Sequence, residues 1–326
     1  MVGSSKVFGV FYFVISEGFR RFLYGLIVIS LLFFIRPLSA QPISSIKNLK
    51  IGTAVGWELA DSLSEISGIC NAFPVIGSNW LLGIQDGGNS SDIVVFDWEI
   101  RKSFVVATGL HNRDWEAITR DDERVYIGDF GNNRGNRRDL KIYRICNIDS
   151  AVFTEDWKCN VSEINKRGIR NTSLVDSIEF AFEDQLDFQP RFRHNFDCES
   201  MLVQGDSIWL FTKNWKNFKS NVYLLLNTPG KQVARKVASI NTRCLVTDAC
   251  WQNREVLLVG YSVFGNQYIL NLDWNRKRVL SRRKIGIKPA QVEGVALNLL
   301  HDKVFIATEK RKTQRAAIIE LEFKRK

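Results

Sequence analysis

Histidine, methionine and proline are scarce in this 326-residue chain, at three, two and six residues. The sequence has no C-x-x-C pair, no H-E-x-x-H, no G-x-S-x-G elbow and no Walker-type glycine loop. Those gaps remove thioredoxin-like redox chemistry, the common zinc sites, the α/β-hydrolase nucleophile and P-loop phosphate binding from consideration. The D-F-G at 129–131 stands without the other kinase motifs. Beyond residue 40 no stretch sustains an apolar helical period, which argues against a helical bundle. What is present points elsewhere. Phenylalanine (22) and tryptophan (nine) are abundant, and hydrophobic residues make up 45% of the chain. They fall in short β-branched and aromatic runs between turn residues, the pattern of a stiff, strand-rich interior.

The net charge of +10 favours solubility and contact with anionic surfaces. Without a nucleic-acid motif it reads as a solvated basic surface, and no nucleic-acid partner is expected. The first 40 residues differ in kind. Arg20 and Arg21 precede an apolar run from Phe22 to Ile35, and a small-residue exit, Ser39-Ala40, follows. This is the layout of a secretory signal peptide at 1–40, leaving one domain at 41–326. The run is short for a membrane span, although an uncleaved anchor through 22–35 is the alternative. Export to the periplasm, cell surface or medium would place Cys70, Cys146, Cys159, Cys198, Cys244 and Cys250 in an oxidising space. Cys146 and Cys159 are the best candidate pair, and free thiols are equally compatible with Cys70, Cys198 and Cys250.

A repeat organises the rest. H-N-R-D-W-E (111–116) and H-N-F-D-C-E (194–199) share one pattern. Aligned on the acidic residue, five segments match: L-S-E-I-S-G-I at Glu65, D-W-E-A-I-T at Glu116, D-C-E-S-M-L at Glu199, V-T-D-A-C-W at Asp248 and Q-V-E-G-V-A-L at Glu293. Each anchor is followed by one short apolar strand (80–84, 125–130, 208–213, 256–261, 304–309), a polar link, and a second strand (92–96, 140–145, 222–226, 268–272, 317–321). Intervals near 45–50 residues with four strands each predict an all-β β-propeller of five or six four-stranded blades. One longer interval, from Glu116 to Glu199, holds either a degenerate blade or an insertion near Thr154–Arg170. The segment 46–59 is expected to pair with the last blade and close the ring, removing an exposed edge.

If the anchors lie on the innermost strands, Glu116 shares a face with Asp114, and Glu199 with Asp197. Trp115 and Cys198 then pack between blades. Glu65, Glu116, Glu199, Asp248 and Glu293 would converge on one channel. Such a ring needs a cation, a basic partner, backbone N–H donors or protons. Calcium suits an oxygen-only cage, with Glu116, Glu199 and Glu293 as its metal candidates. Lys213 and Lys310, just past the second strands, are alternative neutralisers, and Asp86 and Asp129 lie in the adjoining links. His111 and His194 sit five residues before their glutamates, an odd offset that favours structural loop roles.

The segments E-I-S-G-I (65–69), D-G-G-N (86–89), Y-I-G-D-F-G-N-N (126–133), L-K-I-Y-R-I (140–145), L-F-T-K-N-W (210–215) and V-E-G-V-A (292–296), with the two acidic anchors, resemble the SdiA-regulated and esterase-like phytase-type propellers of bacteria. The resemblance spans roughly residues 60–310. It departs at Asp248, where glutamate is expected, and at Cys198, where a small apolar residue is expected. It implies an exported propeller that is not clearly an enzyme. The expected function is binding of an unidentified ligand or protein at one face of a monomer. The alternative is calcium-assisted hydrolysis of phosphorylated or ester substrates, with Arg134 and Arg137 as mouth cations.

Overall fold

A computed structural model describes residues 50–72, 80–146, 175–252, 255–287, 291–298, 303–311 and 314–324. The expected leader, Cys159 and the segment Thr154–Arg170 lie outside them. Apart from one 3-10 turn, Asp61–Leu63, the regular structure of the described residues is β-strand. No helix among them is long and apolar enough to cross a membrane.

The strand β1 (Lys50–Glu58) is followed by a first antiparallel set, β2 (Ile66–Asn71), β3 (Trp80–Gln85), β4 (Asp92–Asp97) and β5 (Lys102–Ala107). The next set is β6 (Trp115–Arg120), β7 (Arg124–Asp129), β8 (Leu140–Cys146) and β9 (Val175–Phe182). Then come β10 (Cys198–Gln204), β11 (Ser207–Thr212), β12 (Ser220–Leu226) and β13 (Gly230–Ile240). The fourth set is β14 (Leu245–Gln252), β15 (Glu255–Tyr261), β16 (Gln267–Asp273) and β17 (Arg278–Lys284). The last is β18 (Gln291–Asn298), β19 (Lys303–Glu309) and β20 (Ala317–Lys324), and β1 joins it as a fourth strand by antiparallel pairing with β20. That is the pairing expected of the segment 46–59 with the last set.

The second and third sets form one eight-stranded sheet, because β13 pairs in parallel with β9 along their outer edges. The other three sheets have four strands each. Since β8 pairs directly with β9, most of the extra length between Glu116 and Glu199 lies between those two strands of one set, and the rest in the link from β9 to β10.

The sets pack face to face in a propeller-like cycle. The first strands touch in the order β2, β6, β10, β14, β18 and back to β2. Five apolar clusters fill the spaces between neighbours. Trp115 packs with Leu82, Ile84 and Val95 of the preceding set, and Cys198 packs with Ala117, Tyr126 and Phe130. Val246 meets Leu202 and Phe211, Val292 meets Leu257 and Val259, and Ile66 meets Ala296 and Phe305 of the last set. The middle strands are covered on both faces, so they read as near-continuous apolar runs such as W-L-L-G-I rather than alternating ones. The outermost strands alternate or turn polar, as in β13 and β17, because one side meets solvent. Burial of each large apolar side chain stabilises the packing by roughly 1.5–3 kcal/mol.

Each first strand carries the same irregularity. Its register against the second strand slips between Ile66 and Gly68, Trp115 and Ala117, Cys198 and Ser200, Val246 and Asp248, and Val292 and Gly294. A slip of this kind is a β-bulge, which leaves one residue unopposed and re-aims its side chain. The unopposed residues are Ser67, Glu116, Glu199, Thr247 and Glu293.

Candidate acidic site at the inner bulges

The bulge register corrects the sequence alignment of the anchors. Glu116, Glu199 and Glu293 are true equivalents. The equivalents in the other two sets are Ser67 and Thr247, not Glu65 and Asp248. Three sets therefore place a carboxylate at this position, and two place a hydroxyl. Sequence matching slipped because an acidic residue lies two positions before Ser67 and one after Thr247, while a bulge leaves no mark in an apolar pattern.

The hydroxyls have a uniform role. Ser67 Oγ donates to the Trp115 carbonyl at 2.7 Å, and Thr247 Oγ1 donates to the Val292 carbonyl at 2.7 Å. Each ties one first strand to the next. Asp248 makes a related tie. Its Oδ2 accepts the Val295 N–H at 2.7 Å, and its Oδ1 accepts the Ala249 N–H at 2.8 Å and the Ser200 hydroxyl at 3.3 Å. It thus bridges β10, β14 and β18. Glu65 is exposed, and its Oε2 accepts from Asn89 Nδ2 at 2.8 Å.

Other acids gather elsewhere. One carboxylate oxygen each from Asp86, Asp114 and Glu116 lie within 4.8 Å of one another. Asp86 comes from the residue just past β3, Asp114 from the entry to β6, and Glu116 from the bulge. Gly131 lines one side of the group: a Cβ there would lie 2.5 Å from Asp114 Oδ2 and 2.6 Å from Glu116 Oε1, so any larger residue would push these two carboxylates aside. Asp129 Oδ1 holds the entry in place by accepting the Asp114 N–H at 3.1 Å. Arg137 is buried and donates to Asp129 Oδ1 at 2.9 Å, with its Nη1 also 3.9 Å from Asp114 Oδ2. Asp197 is fully buried and satisfied by the Asn132 N–H at 2.9 Å and Trp215 Nε1 at 3.0 Å.

Lys213 is the buried ammonium of this region, 2.8 Å from Glu199 Oε2. The other oxygen of Glu199, Oε1, is buried with no hydrogen-bond partner among the described residues. Lys310, the other expected neutraliser, lies one position beyond the register of Lys213. It faces outward, with Nζ 3.5 Å from Asp61 and its N–H on the Ser64 carbonyl at 2.7 Å. The position equivalent to Lys213 is held by Asp86, Phe130, Tyr261 and Glu309 in the other sets, by the same register. Sequence reading missed Glu309 and Tyr261, because only the cross-strand pairing shows that they share a level with Lys213.

The electrostatics follow from burying so many acids around one lysine. Burial lifts Glu116 well above the ordinary carboxylate range, and the charge of Glu199 adds to it. Burial likewise raises Glu293 to about 8 and Glu309 to about 7, with Lys213 opposing both shifts. Burial and the charge of Asp86 raise Asp114 to about 7, against the pull of Arg137. Lys213 moves the other way: burial disfavours its charge, but Glu199 and its other anionic neighbours outweigh that and raise it. At neutral pH the cluster must keep protons or acquire positive charge. Its donor set is all oxygen, with one buried oxygen left over, which fits a hard divalent cation better than a soft one.

The remaining expected residues have structural places. His194 is buried in the loop before β10. Its Nδ1 accepts the Phe196 N–H at 3.0 Å, so Nε2 carries the proton and donates to the Asn133 carbonyl at 3.1 Å. His111 is exposed, and its carbonyl accepts from Trp115 Nε1 at 3.1 Å. Arg134 stacks over Phe192 at 5.4 Å. No disulfide joins Cys70, Cys146, Cys198, Cys244 and Cys250 among the described residues, and Cys159, the expected partner of Cys146, lies outside them.

No protein-family model matches the chain, and no curated protein does. Among solved structures it is similar to Kuenenia stuttgartiensis hydrazine synthase, at 11% identity and a TM-score of 0.38, covering 78% of this chain and 58% of that one. It is also similar to a chain of the mitotic checkpoint complex (11%, TM-score 0.39, covering 89% and 96%). A third is a luciferin-regenerating enzyme (9%, TM-score 0.40, covering 83% and 95%). Likeness at this level assigns neither a family nor an activity.

Proposed function

We propose that the chain is an exported, five-bladed β-propeller binding protein whose channel mouth holds a divalent cation, calcium by its ligand type, and presents it to a ligand or partner at that face. The blade count takes the eight-stranded sheet as two blades joined at their outer edges. The five bulged first strands and the five clusters between sets support it. Export rests on the leader at 1–40 and on the resemblance to exported bacterial propellers.

The observation that carries the cation reading is the convergence of Asp86, Asp114 and Glu116 within 4.8 Å. The buried Oε1 of Glu199 has no hydrogen-bond partner among the described residues, and Glu199 is the charge that raises Glu116 most; both support it. These side chains would hold the ion, and the ion would supply a Lewis-acidic point for an anionic or carbonyl oxygen. Lys213 would keep Glu199 oriented.

Elemental analysis of the purified mature protein, before and after exhaustive chelation, tests this reading. The expected result is about one equivalent of calcium per chain that chelation removes and added calcium restores. A protein that carries no divalent metal and takes none up would end the proposal. A calcium-assisted hydrolase is the second reading, favoured by the buried Lys213 beside the acids. It requires turnover of a phosphate or carboxylate ester that chelation abolishes.

A further inference from the structure

A second charged feature lies outside the acidic cluster. The connection from β9 to β10 and the link after β11 border a half-open cavity of about 320 Å³. Arg191, Arg193, Lys216 and Lys236 line it, against one acid, Asp184. The charges are not equally committed. Arg191 is paired with Asp187 at 2.7 Å, and Lys236 with Asp184 at 2.8 Å. Asp184 is further engaged by the Tyr223 hydroxyl at 2.9 Å. Arg193 and Lys216 have no side-chain partner among the described residues. Cations confined in one concave site repel each other unless an anion joins them.

The walls are held in place. Gln185 Nε2 donates to the Gly135 carbonyl at 2.8 Å, and the Arg191 N–H donates to the Arg134 carbonyl at 2.9 Å. His194 anchors the same loop from below through the Asn133 carbonyl at 3.1 Å. The Lys216 N–H meets the His194 carbonyl at 3.3 Å, which joins the second wall to the first. This explains the histidine of H-N-F-D-C-E: it shapes the cavity wall and does not reach the acids.

We propose that this cavity binds a tetrahedral oxyanion, of the kind carried by a phosphate or sulfate ester, with Arg193 and Lys216 as its direct partners. A guanidinium offers a planar fork of donors to two oxygens, and an ammonium offers a point charge to a third. Asn195, which also lines the cavity, adds a neutral side-chain amide. The paired Arg191 and Lys236 supply field without leaving their partners. Phe196, which also lines the cavity, gives the organic part of an ester an apolar contact. The inference is independent of the cation site.

The test is calorimetric titration of the full protein with inorganic phosphate and with sulfate. A chelator is present so that no divalent ion contributes, and ionic strength is held constant with chloride. A parallel arm measures co-sedimentation with phosphatidylglycerol vesicles, which separates a lipid headgroup from a free oxyanion as the source. Phosphate or sulfate binding that Arg193→Glu and Lys216→Glu each weaken about tenfold or more supports the site. Vesicle binding lost in the same two variants supports it with lipid as the source. The control Lys102→Glu, an exposed residue of β5, changes net charge equally and should leave binding within about twofold. Both test residues are exposed, so unchanged melting temperatures show that the variants fold. No binding in either arm, or binding that falls equally in the Lys102→Glu control, overturns the proposal.

Discussion

Two kinds of first strand share one backbone device and put it to different uses. In β2 and β14 the bulged residue is Ser67 or Thr247, and its hydroxyl closes onto the neighbouring strand's carbonyl at 2.7 Å. In β6, β10 and β18 it is Glu116, Glu199 or Glu293, which makes no such bond and stays within a crowd of like charges. The hydroxyl positions stabilise the ring. The glutamate positions strain it electrostatically, and buried charge kept without an evident structural return is what a binding site requires. Asp248 sharpens the contrast. It is also a buried acid of a first strand, yet two N–H groups and a hydroxyl satisfy it.

Separating the two kinds by mutation should give graded effects. The largest belongs to Lys213→Met, which leaves Glu199 buried without its partner. Urea unfolding of the metal-free protein should show a loss of about 3–5 kcal/mol, and the double variant Lys213→Met/Glu199→Leu should recover most of it. A double variant no better than the single one would show that the pair is not coupled. Next comes Asp248→Ala, which strands the Val295 and Ala249 N–H groups. The expected cost is about 3 kcal/mol by the same measurement, with no change in calcium uptake. A calcium defect in this variant would return Asp248 to the binding set. The smallest is Thr247→Val, at about 1 kcal/mol for one lost hydroxyl bond.

The glutamate positions also carry a pH signature. Folded-state values near 8 for Glu293 and near 7 for Glu309 lie above the ordinary glutamate value. The folded protein therefore holds more protons than the unfolded chain across that window. Stability of the metal-free protein should fall as pH rises from about 4.5 toward about 8, and level off beyond. Calcium should flatten the slope, because the ion replaces the protons. Melting curves at pH 5, 6, 7 and 8 with and without calcium measure this, and a flat metal-free profile would contradict the buried-acid picture.

Much of the fold is legible in the sequence. Doubly covered strands such as V-Y-I-G-D-F and V-F-I-A-T-E announce themselves as unbroken apolar runs, and their spacing reveals the repeat. The segment 46–59 could be read as a closing strand because no partner for it lies nearby in sequence. The site is only half legible. Asp86, Asp114, Glu116, Glu199 and Lys213 stand out as charged residues next to apolar runs. Which of them share a level depends on a one-residue register slip, and a slip leaves composition and periodicity unchanged. For the same reason Glu309 was hidden behind Lys310, and Ser67 behind Glu65. The outer-edge pairing of β13 with β9 had no sequence signal, because parallel pairing between distant strands leaves no local turn to recognise.

The calcium-induced shift in melting temperature, measured at pH 7.5 on the wild type, Glu116→Gln and Thr247→Val, compares the two kinds of strand most directly. The cation reading predicts that wild type and Thr247→Val gain about 2.7 kcal/mol at a hundredfold excess of calcium over Kd. Glu116→Gln should melt roughly 2–4 °C higher than wild type without calcium, because glutamine is buried without either a charge or a proton taken up on folding, and should gain nothing when calcium is added. An equal calcium shift in all three proteins, or none in any, would contradict it.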